Sequence, residues 1–442
     1  MNRRKVLVQA SAGVFGAAFP LASARAQDRF SPHRGQTVSI SIPVHPHYDA
    51  MQWLLPSFTE QTGIRVEVDR QSIPRMKQLQ LEAMSKPAGA YDLVSYVVMW
   101  KGEYVKKGFI RELTPLLKNA TLADPAFDLE DISPDYLENL GLVGGWRGYL
   151  QGAGAKLYGL PYGAETSILA YRADLFARHD LRPPATYFEL EHLLGAVREK
   201  TGLGSMCTRS QAGHQCVHAW LLHFNPMGGK VFDVNWKSRF NDSAGVRALN
   251  FLRRVVDTGP LGGGDFGQSE MMQAFLDGGA AMYLDSTLIL GAVRDPKRSK
   301  VNGKVSFARH PKAVRHSSQS GGLGLAIPSN ARNPEAAFLL MQWLTSKAQD
   351  KAVCRMGGTP LRKSTLWDDA LIKQFPEYLA LRSQLQDVDP DWRPIIPEWD
   401  EINTKILGVA IDSALKGTMP AKQALDSAAL QVEALMRRSG YR

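Results

Sequence analysis

The sequence predicts an α/β protein with a helical C-terminal tail. Two observations carry this. Strand-like stretches of period two alternate with capped, amphipathic helical stretches over most of the chain, and from about residue 390 onward helical segments follow one another with no strand between them. Strand–helix–strand order of this kind predicts parallel sheets covered by helices. The length suits two or three domains, or two large lobes, with ample core.

The first residues read as a leader. Arg3, Arg4 and Lys5 precede a run of apolar and small residues that ends in Ala24-Arg25-Ala26, the small-x-small pattern of a secretory cleavage site. Residues 1–26 are therefore expected to be a signal peptide. The paired arginines resemble a twin-arginine signal, and an ordinary secretory signal that carries two arginines is the alternative. No later apolar run is long enough to span a bilayer, so the mature chain is expected to be soluble and periplasmic.

"TVSISIPV" at Thr37–Val44 alternates and reads as a strand. Asp49 is then placed to cap a helix whose Met51, Leu54, Leu55 and Phe58 share one face, and Gly63 ends it. Pro56 lies inside that run, so the helix either kinks there or starts there. "IRVEV" reads as a strand, "MKQLQLEAM" as a helix and "YDLVSYVV" as a buried strand. Thr186 and Glu189 form a capping box before Leu190, Leu193, Leu194 and Val197, with Gly202 as the stop. Asn333 and Pro334 open another helix with Ala337, Leu340, Met341 and Leu344 facing inward.

Composition narrows function mainly by exclusion. The formal charge is +10, and four of the positive residues lie in the leader. No basic run interleaved with aromatics tracks nucleic acid. Cys207, Cys216 and Cys354 are the three cysteines. An exported chain permits a Cys207–Cys216 disulfide, and three reduced buried thiols are the other reading. Neither a G-x-S-x-G elbow nor a phosphate-binding G-x-x-x-x-G-K-[ST] loop occurs, so no enzymatic activity is expected.

His45 and His47, at the end of the first strand, read as metal ligands or as hydrogen-bonding groups on a binding loop. A metal site needs further ligands, and Pro46 already ends the strand. His214 and His218 have helical i, i+4 spacing, but Gln215 stands where a zinc-protease helix needs its acid. No metal or other cofactor is expected.

The stretch "KLYGLPYGAETSILAYRADLFARHDLRPPATYFEL", followed in order by "DGGAAMYLDST", "GGLGLAIPSNARNPEAAFLLMQWLTS" and "GGTPLRKS", resembles the family-1 extracellular solute-binding proteins of ABC importers. The resemblance covers nearly the whole mature chain. It implies a two-lobed periplasmic-binding fold with hinge crossovers, expected at Gly159–Ala164, at Gly324–Pro328 and near Gly357–Pro360. Residues 36–162 with 327–356 would form the N-terminal lobe, and 163–326 with 357–442 the C-terminal lobe and tail.

The same resemblance implies the site. His45, His47 and Asp49 would contact solute from the first lobe, although Asp49 reads equally as a helix cap. One of Tyr96 and Trp100 would reach the cleft while the other packs. Glu165 would bond solute hydroxyls or make a hinge salt bridge. The second lobe would offer Gln215, Trp220 and Asp285, with Gly321 and Gly322 admitting backbone amides, and Trp399 would stand at the head of the tail. Core packing is the alternative for each aromatic. Aromatic faces with carboxylates and amides suit a sugar or sugar alcohol. The segment after Asp285 lacks the tryptophan common in oligosaccharide binders. The implied partner is a transmembrane permease, and the receptor is expected to be a monomer. A receptor for a charged solute (polyamine or phosphate ester) and a secreted metal-dependent hydrolase are the competing readings.

Overall fold

The computed structural model describes residues 29–442, so the expected signal peptide lies outside the described residues. Nine strands build two main sheets. The first contains β1 (Thr37–Pro43), β2 (Arg65–Gln71), β3 (Leu93–Val97), β4 (Leu160–Glu165) and β9 (Gly321–Ala326), in the order β2-β1-β3-β9-β4. The second contains β5 (Ser167–Arg172), β6 (Gly204–Cys207), β7 (Ala280–Ser286) and β8 (Val305–Ala308), in the order β8-β5-β7-β6. Each sheet is the centre of one lobe, which bears out the two-lobed α/β architecture.

Both sheets are mixed rather than parallel. β1 runs parallel to β2 and β3, whereas β9 runs antiparallel to β3 and β4. The reason is connectivity: β9 returns from the second lobe and enters the first sheet reversed. β2 forms an edge of that sheet, and its charged Arg65, Glu67, Asp69 and Arg70 discourage further pairing there.

Local signals explain most elements. Helix α1 (Pro46–Thr62) continues without a break through Pro56, whose missing N–H falls on an exposed face where water can serve the freed carbonyl. Its cap is His45 rather than Asp49: Pro46 takes the first helical position, and His45 Nδ1 accepts from the His47 N–H at 3.3 Å. Asp49 instead pairs with Arg70 at the surface. The Thr186–Glu189 capping box is present at α2 (Tyr187–Thr201), and Gly202 closes it in the left-handed region at φ 69°. Asn333 does precede its helix, but its side chain donates to the Thr37 carbonyl instead of capping.

The hinge departs from expectation. Most of the expected crossing at Gly159–Ala164, from Leu160 onward, and the Gly324–Ala326 part of the one at Gly324–Pro328 belong to β4 and β9, both within the first sheet. Strand pairing continues through these segments, so the lobe boundaries expected at 162/163 and 326/327 fall inside hydrogen-bonded strand or at its end. The chain changes sheet at Thr166, between β4 and β5, and again in the segment before Gly321. Thr166 Oγ1 and Ser318 Oγ lie 2.8 Å apart, and Thr359 Oγ1 donates to the Ala164 carbonyl at 2.8 Å. Three passing segments are thereby tied side by side.

The tail packs on the second lobe through α5 (Gly408–Leu415) and α6 (Ala421–Arg438), which lie against α3 (His214–Phe224) and α4 (Ser243–Thr258). It also grips the first lobe. Tyr149 donates to Asp391 at 2.5 Å, Lys77 pairs with Asp400 at 3.0 Å, and Asn139 Nδ2 donates to the Pro390 carbonyl at 3.0 Å. Lys101, a buried amine, anchors the turn carrying Asn139 by donating to the carbonyls of Asn139 and Leu142 at 2.6 and 2.5 Å. Segment 390–403 is thus a strap across both lobes.

Candidate ligand-binding site

The ends of strands from both sheets converge on one buried polar cluster. Glu165 ends β4, Asp285 and Ser286 end β7, Arg209 follows β6, and His45 follows β1. This is where α/β sheets place ligands, outside strand termini at the point where connections change direction.

Glu165 is shared between lobes. Its Oε1 lies 3.3 Å from His45 Nε2, and its Oε2 accepts from the Ser286 hydroxyl at 2.5 Å. Burial favours the neutral acid, but the bonds from His45 and Ser286 and the charge of Arg209 outweigh it and hold the carboxyl below its usual range. Glu165 is therefore ionised in an almost dry site.

Arg209 and Asp285 form a bidentate pair, with Nε to Oδ2 at 2.9 Å and Nη2 to Oδ1. Gln215 Oε1 accepts from Arg209 Nη1 at 3.2 Å. Burial raises Asp285, yet the Arg209 charge dominates and keeps it ionised. His218 Nε2 stands 3.5 Å from Asp285 Oδ1, a long contact, and burial with the adjacent Arg209 charge pushes that imidazole down to about 4. His214 Nδ1 lies 3.0 Å from Asn403 Nδ2 in the strap.

The strap adds Trp392 and Arg393. Arg393 donates to the Ser320 carbonyl at 3.2 Å, and burial followed by the Arg209 charge pushes it down to about 9. It has no carboxylate partner among the described residues. Several buried polar atoms nearby find no protein partner among those residues: both ring nitrogens of His218, Gln319 Oε1, Ser320 Oγ, Trp392 Nε1 and Arg393 Nε. Buried polar groups are ordinarily hydrogen-bonded, so this concentration marks a surface shaped for a polyhydroxylated or otherwise polar molecule.

The pattern of the bacterial extracellular solute-binding proteins matches residues 53–380. The chain belongs to that family. A probable amino-acid ABC transporter periplasmic-binding protein of Sinorhizobium fredii is 27% identical over 413 residues, covering 92% of this chain and 91% of its own. A mannitol-binding protein of Pseudomonas aeruginosa is 27% identical over 392 residues, covering 83% and 85%. A solute-binding protein of Agrobacterium radiobacter, solved with ribitol, superposes with a TM-score of 0.80 at 26% identity, over 91% of this chain and 99% of that one. The family binds and delivers solutes rather than transforming them.

For a solute-binding protein, four expected residues meet in the cluster: His45, Glu165, Gln215 and Asp285. Others lie elsewhere. Trp220 stacks on Phe224 at 4.4 Å and donates to the Gly245 carbonyl, so it is second-lobe core. Tyr96 donates to the Leu140 carbonyl and fills the space over Gly324, so it too is core. Trp100 is buried under the Lys77 ammonium, which stands 5.5 Å from its ring, and its turn packs against the one that carries Trp399. Trp399 is fully buried, and its Nε1 has no partner among the described residues. His47 packs edge-on to Tyr162 at 4.7 Å, and burial pushes it down to about 3. Gly322, at φ 92°, lies against the Gly163 carbonyl, where a strand bulge requires glycine.

Asp49 lines a different feature, a cavity of about 660 Å³ at the outer junction of the lobes, with Trp53, Arg294, Arg298 and Met356. None of its lining residues carries a buried unpartnered group, so the strand-end cluster is the better candidate. Among the described residues, no group of three or more His, Cys, Asp or Glu is placed to hold a metal.

Sequence reasoning missed Arg209, His218, Ser286, Trp392 and Arg393. Arg209 and Ser286 had a usable signal, since each stands at or just beyond a strand end. Arg393 had none, because the tail comes to the site only through tertiary folding.

Proposed function

We propose that this solute-binding protein is a periplasmic receptor that takes a sugar or sugar alcohol between its lobes and hands it to the transmembrane permease of an ABC importer. The observation that carries this is the cluster of buried, unpartnered donors and acceptors beside Glu165 and Arg393. The formal charges of Glu165, Asp285, Arg209 and Arg393 sum to zero, which suits a neutral solute rather than a polyamine or a phosphate ester. Asp285 is already engaged by Arg209, and Glu165 by His45 and Ser286, which leaves the ammonium of an amino acid with poor anchors. The mannitol-binding and ribitol-bound relatives support the same chemistry. No helix among the described residues is long and apolar enough to cross a membrane, as suits a receptor that meets its permease from outside.

A thermal-shift panel of alditols, monosaccharides, amino acids, polyamines and phosphate esters, with and without chelator, tests this reading. Ligand that binds the native state alone raises the melting temperature with saturation. A rise with an alditol or monosaccharide, unchanged by chelator, is expected. A rise confined to amino acids or charged solutes overturns the solute class.

A further inference from the structure

We infer that Gly321 is a positioning residue for Arg393: its missing side chain makes the space in which the guanidinium faces the solute. A Cβ built at Gly321 falls 2.5 Å from Arg393 Nη2, while the next nearest atoms, Arg393 Cζ and Gln319 Nε2, stand at 3.8 Å. The guanidinium tip is therefore the one group that a methyl here would strike. Backbone conformation does not ask for glycine at this position, because Gly321 is not among the residues with positive φ. Its neighbour Gly322 differs, since φ 92° and the close Gly163 carbonyl require glycine whatever Arg393 does.

Arg393 occupies that space with its guanidinium only partly engaged. It lies 4.7 Å over the Trp392 ring, gives Nη2 to the Ser320 carbonyl and leaves Nε without a partner among the described residues, while Gln319 Oε1 and Ser320 Oγ, on the two residues before Gly321, are likewise unpartnered. A planar guanidinium presents parallel donors to two oxygens at once. At this side of the strand-end cluster the pair selects a solute that offers adjacent oxygens, such as a vicinal diol, over one that presents a C–H face. This selection rests on the receptor reading above, whereas the coupling of Gly321 to Arg393 does not.

A double-mutant cycle of Gly321→Ala and Arg393→Met tests the pair, read by titration calorimetry with ribitol and D-mannitol and by the ligand-free melting temperature. Loss of a charged hydrogen-bonding group is expected to weaken binding roughly tenfold to a hundredfold in Arg393→Met. Gly321→Ala is expected to weaken binding about tenfold in the wild-type background and to have no further effect in Arg393→Met, because sites that act through one contact are not additive. Without ligand, Gly321→Ala should lower the melting temperature in the wild type but not in Arg393→Met. Equal effects of Gly321→Ala in the two backgrounds overturn the pairing. Failure of the wild type to bind either alditol overturns the diol selection, and the melting temperatures alone then decide the pairing.

Discussion

Ser286 donates its hydroxyl to Glu165 Oε2 at 2.5 Å, joining the last residue of a second-sheet strand to the last residue of a first-sheet strand. The bond sits beside the Thr166 crossing, so it braces the hinge and orients the carboxylate together. Ser286→Ala removes one donor from a buried, ionised acid. A loss of about 1.5–3 kcal/mol in urea unfolding is expected. A change below about 0.5 kcal/mol would show that the hydroxyl does not support Glu165.

The Arg209–Asp285 pair is almost wholly buried. Breaking such a pair leaves a bare charge, so Asp285→Ala should cost about 3–5 kcal/mol, while the apolar double variant Arg209→Met/Asp285→Leu should recover much of it. Chemical denaturation of the three proteins checks this. A single-variant cost near that of an exposed pair, about 0–1 kcal/mol, would contradict the burial.

Acid should destabilise the fold. Burial lowers His47, His223 and His310 to about 3 and His218 to about 4, whereas each would titrate near 6.5 unfolded. Below pH 6.5 the unfolded chain binds protons that the folded chain refuses, so stability present above pH 6.5 falls as pH drops, by about 1.4 kcal/mol per unit for each histidine. Asp135 and Asp350, raised by burial to about 6, act in the opposite sense below pH 6, but they are two against four. Urea midpoints at pH 7.5, 6 and 5 should therefore decline. A midpoint that rises towards pH 5 would refute the neutral burial of these rings.

Cys207, Cys216 and Cys354 are free and buried, and Cys207 and Cys216 sit in separate core clusters. Burial raises all three thiols, that of Cys216 to about 12. A thiol reagent should label none of them in the native protein and all three after denaturation. Labelling of a single thiol in denaturant would instead establish the Cys207–Cys216 disulfide.

How much of this was legible depends on the range of the signal. The opening strand, α1, the capping box at Thr186 and the run of tail helices were readable, because caps, prolines and periodicity act within a few residues. His45, Glu165 and Asp285 were readable from strand ends combined with family resemblance. Trp220 was misplaced because its i+4 partner Phe224 marks a packed helix face as naturally as a ligand platform. Arg209 meets Asp285 across 76 residues, a relationship that no local pattern carries. The hinge segments came from the position of the family resemblance alone, which does not resolve the few residues between the paired strands β4 and β9 and the actual changes of sheet.

The most direct test of the account is titration calorimetry of ribitol and D-mannitol into the mature protein and its Glu165→Gln variant. Single-site binding by the wild type is expected, weakened roughly tenfold to a hundredfold when the charged acceptor is lost. Binding that Glu165→Gln leaves untouched would place the solute outside the strand-end cluster and contradict the account.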